Sequence, residues 1–175
     1  MKSLLLTVTL SGLLTVLQAQ DDLPFLSEDK NVTGTWYKKA IVYDRSEENK
    51  EEFPLAVRAL AKGNMEVTHV STHHGNCIQV KFLMEKTKKP GQYRAFQANV
   101  LVYIYELPVM DHYIFYSESK FFGQKVYVGQ LIGRDPKENP QALEEFKKFA
   151  QWKGFIPENI IVPEQRERCV PEVHS

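Results

Sequence analysis

The stretch from Ile78 to Glu85 reads IQVKFLME, and it decides the fold class. Apolar and polar side chains alternate along it, with Leu83 as the exception. Because successive side chains of a β-strand point to opposite faces of a sheet, this alternation predicts a strand with one buried and one solvated face. The buried face carries Ile78, Val80, Phe82 and Met84.

The chain around this strand has the same short-strand character. Apolar and polar residues also alternate around Arg58 and around Glu66. Turn-forming pairs separate such segments from Trp36 to Ile132. Short strands at this spacing, rich in Val, Ile, Tyr, Phe and Thr, favour an antiparallel sandwich or barrel. The turn-forming pairs are Gly63-Asn64, Gly75-Asn76, Pro90-Gly91, Leu107-Pro108 and Phe122-Gly123.

Two segments depart from simple alternation. Val100 to Tyr105 and His112 to Tyr116 are apolar or aromatic on both faces. A strand of this kind is buried on both sides, so another element has to cover its outer side.

A helix that follows these strands is the candidate cover. Asn139 is a favoured N-cap, Pro140 suits the first helical position, and Gly154 suits the position after the end. The segment from Gln141 to Lys153 is therefore predicted to be a helix packed outside the sheet. Its apolar side consists of Leu143, Phe146, Phe149 and Ala150.

The N-terminus has the features of a secretory leader. Lys2 precedes an apolar stretch from Leu4 to Leu17, and Ala19 is a small residue at the expected cleavage point. We expect residues 1–19 to be a signal peptide and residues 20–175 to form one domain.

No later apolar run approaches the roughly 18 residues of a membrane span. Removing the leader removes Lys2 and no acidic residue, so the formal charge changes from +0 to −1 and no basic surface for nucleic acid is implied.

Two cysteines, Cys77 and Cys169, remain in the predicted mature chain. In a chain sent to an oxidising compartment, a disulfide between them is the expected state, and two buried free thiols are the alternative. Apart from the one helix, the chain is all-β, and a cysteine beyond that helix is expected to pair with one in an early hairpin. This arrangement indicates a closed eight-stranded antiparallel barrel. An interior of that size is filled by side chains or holds one small ligand.

Three short segments, together with the helix and the cysteine pair, resemble the signature of the lipocalin family. They are Gly34-Thr35-Trp36, Asp111-His112-Tyr113 and Gly133-Arg134. Pro90-Gly91-Gln92-Tyr93 is similar to the tear lipocalin and odorant-binding branch, and the tail Val162-Pro163-Glu164-Gln165-Arg166 resembles vomeronasal secretory proteins in particular. The resemblance implies an all-β, up-and-down calyx with a hydrophobic cavity and one C-terminal α-helix outside it.

The resemblance also assigns roles to residues. It implies that Trp36 plugs the closed end of the barrel under Arg134, and that Gly34, Asp111 and Tyr113 belong to the same structural signature. The strand register of the family places a further set of side chains on the inner wall, where they are expected to bind the ligand. This set is Leu55, Val57, Val80, Phe82, Met84, Val100, Val102, Ile104, Tyr113, Phe115, Ser117, Val128 and Gln130.

Catalytic and metal chemistry is not expected. The enzymatic lineage of lipocalins uses a free pocket cysteine, which this chain lacks once its two cysteines pair, and no Gly-x-Ser-x-Gly motif is present. Gln130 stands where some relatives carry a lysine, so the resemblance does not imply a pocket selective for acids or aldehydes. His69, His73 and His74 are expected near a hairpin tip and not at a metal, and no cofactor is expected.

Together with the leader, the resemblance implies an extracellular carrier of small hydrophobic ligands such as odorants, pheromones or lipids. The expected partners are that ligand and a cell-surface receptor, and the carrier is expected to be a monomer or weak dimer.

Asn31 begins an Asn-Val-Thr glycosylation sequon. A second interpretation is an interaction or inhibitor protein that uses the rim loops, among them the acidic segment from Asp44 to Glu52, although a solvated charged lid is the favoured reading of that segment.

Overall fold

The computed structural model describes residues 31–44 and 51–171. The predicted leader, residues 1–19, and most of the acidic segment, residues 45–50, lie outside the described residues. The strands are β1 (Gly34–Tyr43), β2 (Glu51–Glu52), β3 (Leu55–Ala59), β4 (Met65–His73), β5 (Asn76–Lys86), β6 (Gln92–Ala95), β7 (Val100–Glu106), β8 (His112–Phe121), β9 (Gln124–Gly133), β10 (Ile160–Ile161) and β11 (Glu164–Gln165). The α-helix is α1 (Pro140–Lys153), and short 3-10 helices span Ala61–Gly63 and Pro157–Asn159.

Eight strands form a closed antiparallel barrel. They pair in the order β1, β3, β4, β5, β6, β7, β8 and β9, and β9 pairs back with β1. The first half of β1 pairs with β3, as in Trp36 opposite Leu55, and its other edge pairs with β9, as in Ile41 opposite Gln130. The predicted fold is confirmed, and the closure removes the exposed edges that an open sheet would leave.

The alternating strand that decided the fold class is part of β5. On its inner face Met84 is buried, Val80 and Phe82 are half-buried, and Ile78 is 40% exposed, so the expectation of burial is wrong for Ile78. Lys81 and Leu83 on its outer face are exposed. Inward side chains from the eight strands meet in one apolar cluster that includes Trp36, Val67 and Ile104. This cluster is the core of the barrel interior.

The helix covers the strands that are apolar on both faces, as the sequence predicts. The Asn139 side chain accepts a hydrogen bond from the backbone N–H of Ala142 at 3.0 Å, and Gly154 ends the helix with φ of 86°. Phe146 and Phe149 are buried against the outer side chains of β7 and β8 in a second apolar cluster. The barrel therefore has one core inside its wall and one between wall and helix.

The C-terminal tail returns to the barrel. β10 pairs with β1, and β11 pairs in parallel with β2. Cys77 on β5 and Cys169 in the tail form a disulfide, which confirms the predicted pairing.

Glu52 of the acidic segment is buried, so the expectation of a solvated charged lid is wrong for this residue.

Candidate ligand site

One end of the barrel is closed by Trp36, which is 1% exposed. Its indole N–H donates to the Val32 carbonyl oxygen at 2.8 Å, and the Arg134 guanidinium carbon lies 3.6 Å from the ring centroid. Tyr113 contacts the ring edge-on at a centroid distance of 5.2 Å. Gly34 has φ of 106°, and a Cβ there would lie 2.8 Å from Arg134 Nη1, so this position needs glycine.

The last of the signature residues belongs to the same end. Asp111 has φ of 60°, and its carbonyl oxygen accepts a hydrogen bond from the backbone N–H of Arg134 at 3.3 Å.

Asn31, the start of the glycosylation sequon, is exposed, and its Oδ1 accepts a hydrogen bond from the backbone N–H of Thr33 at 2.9 Å. Glycosylation of Asn31 stays a prediction.

Strand register stacks the inward side chains of β7, β8 and β9 in levels above the plug. Phe115 lies opposite both Ile104 and Gln130, which puts these three side chains in one level. Ser117 lies opposite both Val102 and Val128, which puts those three in the next level toward the other end. The inner wall is therefore apolar with a few polar groups, as in small-molecule sites.

Exposure rises from the closed end along part of the inner wall. Ile104 is 0% exposed and Phe115 is 8% exposed, whereas Ser117 and Val128 are half-buried although they point inward. On the inner face of β5, Met84 is 1% exposed and Ile78 is 40% exposed, while Val100 and Val102 of β7 stay buried. Solvent reaches side chains on the inner face of a barrel through its lumen. The end away from Trp36 is therefore the open one.

The predicted wall residues fall into three groups by burial. Those buried in the interior cluster are Leu55, Val57, Met84, Val100, Val102, Ile104 and Phe115. Those partly buried and packed against it are Phe82 and Tyr113. Those half-buried elsewhere on the inner face are Val80, Ser117, Val128 and Gln130.

A buried polar cluster that the sequence analysis missed lies on the same inner face. Lys38 Nζ lies 3.0 Å from Glu52 Oε2, and both side chains are less than a tenth exposed. The same ammonium lies 3.4 Å from Nδ1 of His69. Lys38 is opposite Ile132 of the interior cluster, and His69 is opposite Val80, so the cluster belongs to the lumen wall.

His69 is not near a hairpin tip, and that expectation is wrong for this residue. The tip is formed by His74 and Gly75, with φ of 50° and 75°. His69 lies in the middle of β4 on the same face as Met65 and Val67, and this parity was the available signal in the sequence. Among the described residues, no group of three or more His, Cys, Asp and Glu side chains is placed to hold a metal ion.

The pKa of His69 is lowered to about 4, mainly by burial and also by the neighbouring Lys38 ammonium, while a hydrogen bond with the Val70 backbone opposes the shift. The ring is therefore neutral near pH 7, and Nδ1 is placed to accept a hydrogen bond from the Lys38 ammonium. This arrangement avoids two adjacent cations inside the barrel.

The lowered pKa predicts acid destabilisation. The folded pKa lies below the unfolded value of 6.5, so the unfolded chain binds more protons and stability is lost as pH falls from 6.5 toward 4. We expect His69→Gln to reduce the loss of unfolding free energy between about pH 7.5 and about pH 4.5 by on the order of 2 kcal/mol. Urea unfolding at both pH values measures this loss.

His73→Gln is the matched control, because His73 is exposed at the end of β4. It should leave the pH dependence unchanged. An equal effect of the two substitutions would contradict the assignment to His69.

Comparison with known proteins places this geometry in a family. The model of the Lipocalin / cytosolic fatty-acid binding protein family matches residues 33–167. Vomeronasal secretory protein 2 of Mus musculus is 49% identical over 174 residues, covering 98% of this chain and 94% of that protein. Odorant-binding protein 2a of Mus musculus is 40% identical over 175 residues, covering 97% of this chain and 98% of that protein.

A solved structure has the same architecture. The siderocalin Ex-FABP superposes with a TM-score of 0.69 at 20% sequence identity, covering 85% of this chain and 99% of that chain. The chain belongs to the lipocalin family. Lipocalins of this kind bind and transport small hydrophobic molecules, and the protein is a binding protein rather than an enzyme. Within the described residues, no helix has the length and apolarity needed to cross a bilayer.

Proposed function

We propose that the protein is a secreted carrier that takes up odorants, pheromones or lipid-like molecules in the lumen of its barrel. The observation that carries the proposal is the lumen itself. Its wall is mainly apolar, and inward residues such as Ser117 and Val128 are half-buried toward the open end. The proposed contacts are the wall residues grouped above by burial.

The proposed driving force is transfer of apolar ligand surface into this lumen. Such transfer contributes about 25 cal/mol per Å² before the entropy costs of binding are subtracted. Affinities near micromolar, about −8 kcal/mol, are expected for a small ligand.

Secretion is supported by separate features. Residues 1–19 have the composition of a leader, and the Cys77–Cys169 disulfide is typical of oxidising compartments. The names of two relatives, a vomeronasal secretory protein and an odorant-binding protein, agree with a carrier in nasal or glandular fluid. Native mass spectrometry of protein recovered from secretion would identify a copurified ligand directly.

Filling the lumen tests carriage. Val102→Trp and Phe115→Trp each place an indole on the inner wall, and we expect each to abolish binding of a lumen-bound naphthylamine dye. An open lumen accepts the larger side chain with little strain, whereas a solidly packed barrel would lose roughly 1 to 3 kcal/mol by overpacking. Dye fluorescence measures binding, and far-UV circular dichroism and the yield of secreted protein measure folding.

Leu83→Trp is the matched control, because Leu83 is 41% exposed on the outer face of β5. It should leave dye binding intact. If the wild type binds no dye and both inner tryptophan variants unfold, the barrel is solid and the carrier proposal is wrong.

A further inference from the structure

The polar cluster inside the barrel has hydrogen-bonding capacity beyond its own contacts. A lysine ammonium has three N–H donors. Lys38 uses two of its three donors in contacts to described residues, one to Glu52 and one to His69. The third donor belongs to a side chain less than a tenth exposed on the lumen wall, where an unmade hydrogen bond to a charged group is costly.

The position of the cluster suits a ligand headgroup. Lys38 lies one step above the Trp36 plug on β1, and Ile132 opposite it is fully buried. Toward the open end the wall continues through Val80, opposite His69, and through Gln130, two residues from Ile132. A ligand with its polar end at Lys38 would extend its apolar body along this wall.

We propose that Lys38, held by Glu52 and His69, is a polar subsite that binds a neutral oxygen acceptor on the ligand, such as the carbonyl oxygen of a ketone, aldehyde or ester. The inference rests on the proposed function, because it needs a ligand in the lumen. It adds the substrate class: an apolar chain or ring that carries one uncharged oxygen.

Charge decides between a neutral oxygen and a carboxylate. Glu52 already balances the charge of Lys38, and it lies 3.0 Å from the ammonium. A fatty-acid carboxylate at the same donor would place two anions together in a poorly solvated site, where repulsion is strong. His69 is neutral near pH 7 and supplies no second cation. The subsite therefore favours neutral oxygen over an acid.

Isosteric ligands test the proposal. Nonan-2-one and 2-methylnon-1-ene share a carbon skeleton and differ in a carbonyl oxygen against a methylene group, and nonanoate adds the acid. In displacement of the naphthylamine dye from the wild type, we expect the ketone to bind at least about tenfold more tightly than the alkene, the ratio typical of a hydrogen bond to a charged donor. Nonanoate should bind more weakly than the ketone.

The double variant Lys38→Met/Glu52→Met removes both charges and leaves neither unpaired. It should bind ketone and alkene equally, with the alkene affinity unchanged. Lys81→Met removes an exposed lysine from the outer face of β5 and should keep the wild-type preference. If the double variant does not fold, Lys38→Gln/Glu52→Gln replaces it, and the preference should fall to about a few-fold because a neutral amide is a weaker donor.

Infrared spectroscopy of ketone labelled with carbon-13 at the carbonyl separates a direct hydrogen bond from altered packing. The carbonyl band should move to lower frequency in the wild type and return in the double variant. Equal binding of ketone and alkene to the wild type, an unchanged preference in the double variant, or tighter binding of nonanoate would overturn the subsite. Failure of all three ligands and of the dye to bind the wild type would instead overturn the carrier function.

Discussion

Lys38→Met is expected to lower the free energy of unfolding by about 3 to 5 kcal/mol, because it leaves the Glu52 carboxylate buried without its cation. Lys38 Nζ and Glu52 Oε2 are 3.0 Å apart, and their side chains are 8% and 6% exposed. In such a place the carboxylate has little access to water, so the folded state bears most of the cost of losing its partner. Urea denaturation at neutral pH measures the change.

The double variant Lys38→Met/Glu52→Met should recover most of this loss, since apolar side chains of similar volume often replace a buried ion pair with little cost. The Arg58–Glu66 pair on the outer surface is the matched control. Its N–O distance is 3.1 Å, but the Arg58 side chain is 69% exposed. Arg58→Met should therefore cost less than about 1 kcal/mol. Similar costs for Arg58→Met and Lys38→Met would show that burial is not what makes the inner pair important.

The parts of the fold that depend on local pattern were predictable. The alternation from Ile78 to Glu85 identified a strand face without knowledge of its partners, because strand geometry sets a period of two. Asn139 and Gly154 marked the helix ends because capping depends on a few neighbouring residues. The two-sided apolar character of β7 and β8 indicated a covering element before that element was identified.

The polar cluster depended on contacts that no local pattern contains. Lys38 and Lys39 are adjacent cations that no motif singles out, and the register of β1 against β9 shifts between Lys38 and Ala40. The two side chains have different partners: Lys38 reaches Glu52 in the lumen, and Lys39 Nζ lies 2.8 Å from Nε2 of His112. Glu52 lies in an acidic segment whose composition is typical of solvated surface, so the sequence did not indicate that this residue is buried.

Backbone irregularities were equally hidden. Phe96, Gln97 and Ala98, between β6 and β7, all have positive φ although none is glycine. Their left-handed conformation is costly for these residue types, so the surrounding strands impose it. The inner-wall residues were identified through the family register, and their role as ligand contacts stays a prediction until lumen variants are measured.

Removing the disulfide with Cys77→Ser/Cys169→Ser is expected to lower the free energy of unfolding by about 4 to 5 kcal/mol in the chain-entropy model. The cysteines are 92 residues apart, so the bond closes a long loop and strongly restricts the unfolded chain. Chemical denaturation of the double variant measures the loss. Wild-type protein unfolded under reducing conditions should show the same lowered stability, and a change below about 1 kcal/mol in both would contradict the argument.

The disulfide also has a local consequence for the lumen. The tail that it anchors holds the segment bearing Glu52, because the Arg166 backbone N–H donates to the Glu52 carbonyl oxygen at 2.9 Å. The Gln165 side-chain N–H donates to the Lys38 carbonyl oxygen at 2.6 Å. Releasing the tail should therefore increase hydrogen exchange at the Arg166 amide and weaken the preference for ketone over alkene. Amides that pair β6 with β7, which are separated from β1 by at least two strands in the barrel order, should change only with global stability.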